Sequence, residues 1–87
     1  MDKAVFFSLK RKLSVAKQEA FLDALRKWEG VSGAGHIEPE STDADDLRAC
    51  FAYLNPGSNE EEFMRRLRRE RYVETASVQP YRYAAAV

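Results

Sequence analysis

Residues 54–83, LNPGSNEEEFMRRLRRERYVETASVQPYRY, are the stretch whose reading decides the fold. Asn55-Pro56-Gly57 is a turn signal, because proline presets φ and glycine supplies a left-handed position. Ser58 and Glu61 follow in capping-box spacing. Three glutamates then occupy the first helical turn and five arginines (Arg65, Arg66, Arg68, Arg69, Arg71) the later ones, an order of charge that complements the helix dipole. Phe63, Met64 and Leu67 form the apolar face expected to be buried. Beyond Arg71 the period drops to two: Val73, Thr75 and Ser77 alternate with Glu74, Ala76 and Val78 until Pro80 stops the strand. The segment reads as turn, helix, strand and extended tail.

Upstream, Ala4 to Leu9 predicts a strand with Val5, Phe7 and Leu9 on one side and Ala4, Phe6 and Ser8 on the other. Ser14 is a candidate N-cap for a helix ending near Trp28 or Glu29. Its expected apolar face is Ala16, Ala20, Phe21, Ala24, Leu25 and Trp28, with Gly30 as the breaker. A second strand is expected from near Gly33, covering Ala34 to Ile37 before Pro39. Glu38 to Asp46, with five acids in nine residues, reads as a solvated hairpin loop. Leu47 to Leu54 is the third strand, with Leu47, Ala49, Phe51 and Tyr53 on one face and Arg48, Cys50, Ala52 and Leu54 on the other.

Strand, helix, strand, strand, helix, strand with two right-handed crossovers is the α+β, ferredoxin-like βαββαβ sandwich: a four-stranded antiparallel sheet with two helices on one face. Residues 1–81 form the single domain and residues 82–87 an extended C-terminal tail. The second sheet face is left open, and on so small a domain it must be polar, occupied by a partner or buried by self-association.

At 87 residues, 45% hydrophobic and 32% charged, the chain is globular rather than disordered. Its net charge of zero gives no whole-chain attraction to nucleic acid or to an acidic membrane. No apolar run reaches membrane-spanning length and no signal peptide is visible, so the expected location is cytoplasmic if Met1 is the native start. Excision from a longer precursor would leave the same sequence.

Residues that could carry chemistry are sparse. His36 is the only histidine and Cys50 the only cysteine, so an internal disulfide is excluded. No hydroxyl or thiol has the spacing of a histidine-activated nucleophile. A metal shared by His36 and Cys50 would need carboxylates to complete it. The expectation is a non-enzyme with no cofactor and no metal. The arginines of the second helix are expected to pair with its glutamates, as Glu61–Arg65 and Glu62–Arg66. Phe6, with Phe51 or Tyr53, could stack single-stranded RNA bases on the open sheet. The third strand lacks the glycine-aromatic pattern of RNA-recognition domains, and nucleic acid is disfavoured.

Leu54-Asn55-Pro56-Gly57, the helix ending Leu67-Arg68-Arg69, and Val73-Glu74, Ala76, Val78-Gln79-Pro80-Tyr81 together resemble the propeptide domain of subtilisin-like serine proteases and its stand-alone inhibitor relatives. Cys50-Phe51-Ala52-Tyr53-Leu54 is similar to that family's third strand, with Cys50 where glycine is common. Gln79 stands where an acid is usual. The resemblance implies a domain that lays its sheet face on the protease and sends its tail into the active-site cleft as a substrate-like strand. The residues implied in protease binding are Phe51, Tyr53, Gln79, Tyr81, Arg82, Tyr83, Ala84, Ala85, Ala86 and Val87. The partner would be a subtilisin-like serine protease, which the domain inhibits or helps to fold. The alternative from the residues alone is a ferredoxin-like interaction module, including a homodimer through the sheet.

Overall fold

The computed structural model describes residues 3–78. The elements are β1 (Lys3–Leu9), α1 (Val15–Arg26), β2 (Val31–His36), β3 (Ala49–Leu54), α2 (Glu60–Arg68) and β4 (Val73–Val78), with one 3-10 turn at Asp46–Arg48. The strands form one sheet in the order β2-β3-β1-β4. Every neighbouring pair is antiparallel. This is the ferredoxin-like sandwich expected from the element order. Pro80, expected to end β4, lies outside the described residues.

In β1 the alternation holds: Val5, Phe7 and Leu9 are buried beneath the helices. In α2 the face is the expected Phe63, Met64 and Leu67. The α2 cap differs. Asn59 supplies it, its side chain accepting from the Glu62 amide at 3.0 Å. Ser58 is used elsewhere: its hydroxyl donates to the Gly30 carbonyl at 3.1 Å, beside the Asn55 amide at 2.8 Å. Gly30 has φ +88, and a Cβ there would meet the Ser58 Oγ at 2.7 Å, so the crossing of these two turns requires glycine.

α1 starts where expected, with Ser14 accepting from the Lys17 amide at 3.2 Å. It ends sooner, at Arg26, and its buried residues are Gln18, Phe21, Leu22 and Leu25. Ala16, Ala20 and Ala24 are exposed. Burying Leu22 removes far more apolar surface from water than an alanine can, so the helix is rotated toward the leucine row. Gln18 comes inside with that row, and its amide donates to the Ala44 carbonyl at 3.0 Å, tying the acidic loop to α1.

Two irregularities set the faces of the outer strands. In β4, Ser8 pairs with Thr75 but Leu9 pairs with Val73, so Glu74 is an extra residue. Val73 and Ala76 therefore turn toward the helices, while Thr75 and Ser77 share the open face. In β2, Val31 pairs with Leu54 and Gly33 with Tyr53, which makes Ser32 the extra residue. The strand begins two residues before Gly33, and Ile37 falls just beyond it. β3 is shorter than expected because the 3-10 turn takes Asp46–Arg48. Leu47 consequently enters the core instead of joining Ala49, Phe51 and Tyr53.

The core is a layer of leucines between sheet and helices, with Leu9, Leu22, Leu25, Leu54 and Leu67 fully buried. Edge-to-face ring pairs frame it: Phe7–Phe21 at 6.2 Å, Phe21–Tyr72 at 6.1 Å and Trp28–Phe63 at 5.8 Å. Each sheet edge receives an arginine from the helix beside it. Arg26 of α1 donates to the Ala34 carbonyl of β2 at 3.0 Å, and Arg68 of α2 to the Ala76 carbonyl of β4 at 3.1 Å.

Candidate functional site

Because strand side chains alternate and paired residues share a face, the register defines the open side. It carries Ala4, Phe6 and Ser8 from β1, Gly33 and Gly35 from β2, Ala49, Phe51 and Tyr53 from β3, and Thr75 and Ser77 from β4. None of these is charged, in a chain that is 32% charged. The cores of protein interfaces are depleted of charged residues in the same way.

The middle row runs Gly35, Phe51, Phe6, Ser77 across the sheet. Phe6 and Phe51 are directly opposed, and the Phe51 and Tyr53 rings lie 5.0 Å apart. The glycines of β2 make room for these rings. A Cβ at Gly35 would come within 3.2 Å of Phe51 Cζ, and one at Gly33 within 3.7 Å of Tyr53 Cδ2. The rings thus lean over the glycine strand, leaving Phe51 half-buried while Tyr53 is 45% exposed. Ile37, 47% exposed, follows β2 with its amide bonded to the Ala49 carbonyl at 2.9 Å.

Of the expected protease-binding residues, Phe51 and Tyr53 are brought together on this face. Gln79, Tyr81, Arg82, Tyr83, Ala84, Ala85, Ala86 and Val87 lie outside the described residues. The contributions of Gly33, Gly35, Thr75 and Ser77 were not foreseen. For the glycines a signal existed: two glycines in one strand opposite an aromatic strand is the pattern in which rings cover the glycine backbone. For Thr75 and Ser77 the β4 bulge hid the register.

His36 faces the helices. Its Nδ1 is 2.7 Å from the Leu47 carbonyl and its Nε2 2.5 Å from a Glu19 carboxylate oxygen, so both ring nitrogens face acceptors. Cys50 Sγ lies 3.7 Å from Nδ1 and donates to the Leu47 carbonyl at 3.5 Å. Among the described residues no group of three or more His, Cys, Asp or Glu is placed to hold a metal. The expected pairs Glu61–Arg65 and Glu62–Arg66 do not form among the described residues. Arg66 instead lies 3.7 Å over the Trp28 ring, and indole stacking takes the place of the intrahelical ion pair.

Burial, reinforced by the charge of Glu19, pushes the Cys50 thiol from 9.0 up to about 12. The protonated thiol therefore favours the folded state fully below pH 9.0, and this contribution is lost as pH rises toward about 12. The unfolding free energy should therefore fall steadily with pH across that interval. Cys50→Ala should accordingly flatten the alkaline fall of the urea-unfolding free energy measured from pH 9.0 to about 11. Identical slopes in the two proteins would remove the thiol from the account.

The fold and this face define a class: an α+β, ferredoxin-like domain with an uncharged open sheet. Comparison with protein-family models, curated proteins and solved structures gave no match. Among the described residues no helix is long and apolar enough to cross a membrane.

Proposed function

We propose that the protein is a propeptide-like binding module that docks on a subtilisin-like serine protease through its open sheet face and C-terminal tail, inhibiting the protease or assisting its folding. The observation that carries this reading is the charge-free face with Phe6, Phe51 and Tyr53 at its middle. Binding of this kind uses shape and burial, and it asks for no catalytic group on this chain.

Size argues against the face acting alone. Four strands about 4.8 Å apart and some five residues long give a flat area on the order of 300 Å². Two copies face to face would bury roughly 600 Å², against about 1,200 Å² or more for stable interfaces. A partner that also takes the tail, as an extended strand in a cleft, supplies the missing area.

The test is hydrolysis of a small peptide by a subtilisin-type protease, with refolding of the denatured protease as a second readout. The full chain should slow hydrolysis or speed refolding. Tyr53→Asp combined with Phe6→Asp should weaken the effect more than about tenfold, as loss of buried aromatic anchors does. A chain ending at residue 81 should also be weakened. If the full chain changes neither readout, the proposal fails. A concentration-dependent dimer that Tyr53→Asp dissolves would replace it with self-association.

A further inference from the structure

A second surface feature lies at the other side of the domain and is independent of the sheet face. It is a cleft of about 420 Å³ between the end of α1 and the start of α2. Its apolar walls include Trp28 and Phe63, packed edge to face at 5.8 Å. Three charged side chains line it as well: Glu29 just after α1, and Glu62 and Arg66 one turn apart on α2. Neither glutamate forms an ion pair among the described residues, although Glu62 stands at the spacing that usually pairs with Arg66.

The reason is the position of the guanidinium. Its Cζ lies 3.7 Å from the centroid of the indole ring, and no side-chain hydrogen bond or ion pair of Arg66 forms among the described residues. A stacked guanidinium keeps its edge donors free, and that edge matches a carboxylate. An anion alone would be opposed by the two glutamates, and a cation alone by the arginine. A ligand that carries both charges a few ångströms apart satisfies all three, and an apolar group on it can rest against Trp28 and Phe63. The cleft is open to solvent and its three charged residues are exposed, so the ligand it suits is small and polar at one end.

We infer that this cleft binds a small zwitterion, a free α-amino acid with an apolar side chain. The ligand's carboxylate sits on Arg66, its ammonium group between Glu62 and Glu29, and its side chain against the two rings.

Trp28 is the only tryptophan, so its fluorescence reports the cleft directly. The probe is L-leucine, compared with N-acetyl-L-leucine, which lacks the ammonium group, and L-leucinamide, which lacks the carboxylate. L-Leucine should give a saturable change, with each blocked form binding at least about tenfold more weakly, as expected for loss of a charge-assisted contact. Arg66→Gln should erase the preference for leucine over leucinamide, and Glu62→Gln the preference over N-acetyl-leucine. Both residues are exposed, so circular dichroism should show unchanged folding. Amide shifts in an isotope-labelled chain should move at Gly57 and Ser58, which also line the cleft. No saturable change up to high millimolar leucine, equal responses to all three probes, or shifts confined to other parts of the domain would each overturn the assignment.

Discussion

Leu67→Ala should lower the unfolding free energy by about 2–5 kcal/mol, the range for truncating a leucine in a packed core. Leu67 is 0% exposed and belongs to the central cluster. The nine residues of α2 include six charged ones, Glu60, Glu61, Glu62, Arg65, Arg66 and Arg68, and only Phe63, Met64 and Leu67 are buried. A helix this short is not stable alone in water, so packing of those three side chains is what holds it against the sheet. A domain of this size has a total stability of roughly 4–13 kcal/mol, so the loss is a large fraction of the whole. Urea denaturation should show a lower midpoint with an unchanged slope. Leu67→Met, which conserves volume, should cost less than about 1.5 kcal/mol. A loss below about 1 kcal/mol for the alanine variant would mean the site collapses around the cavity and that α2 is held by something else.

Arg48→Met is the second large effect, expected at about 2–3 kcal/mol. Arg48 leaves the 3-10 turn with its side chain only 16% exposed. Its Nε–H donates to the Leu9 carbonyl at 2.8 Å, one terminal nitrogen to Asp45 at 3.1 Å and the other to Glu74 at 3.0 Å. One side chain thus joins the end of β1, the bulge of β4 and the acidic loop. The carboxylate partners are well exposed, so their share is a few tenths of a kcal/mol to about 1. The Leu9 carbonyl is the group left without its charged donor, and most of the cost falls there. Glu74→Gln should therefore cost less than about 1 kcal/mol. Amide exchange should quicken in β4 before the rest of the sheet in Arg48→Met. A change within about 0.5 kcal/mol would show that the bulge holds without the arginine.

The fold was legible because its decisive signals are local. β1 alternates without interruption, α2 has three apolar residues at helical spacing, and Asn55-Pro56-Gly57 separates helix from strand. Each is decided by neighbours within a few residues. What could not be read depends on distant partners. The rotation of α1 toward Leu22 follows from what the sheet offers it, and three alanines in register gave a plausible but weaker face. Bulges at Ser32 and Glu74 add one residue to a strand without any mark in composition, yet each reverses which side chains share a face. The capping pattern points to Ser58, one residue before the actual α2 cap at Asn59, because the Gly30 carbonyl, twenty-eight positions away, claims the Ser58 hydroxyl. The site was half legible. That Phe51 and Tyr53 share a face follows from the alternation of β3, but the absence of charge around them emerges only from the register of four strands.

The two guanidiniums that reach over the sheet, Arg26 onto Ala34 and Arg68 onto Ala76, have a consequence for crowded conditions. A strand arriving from a second molecule would have to displace a cation from a carbonyl before it could extend the ladder on either flank. Lateral pairing therefore meets a competing arginine contact on each flank, while the aromatic side has none. The uncharged aromatic side and the arginine contacts at the rims are thus carried by different residues, Phe6, Phe51 and Tyr53 on the one and Arg26 and Arg68 on the other.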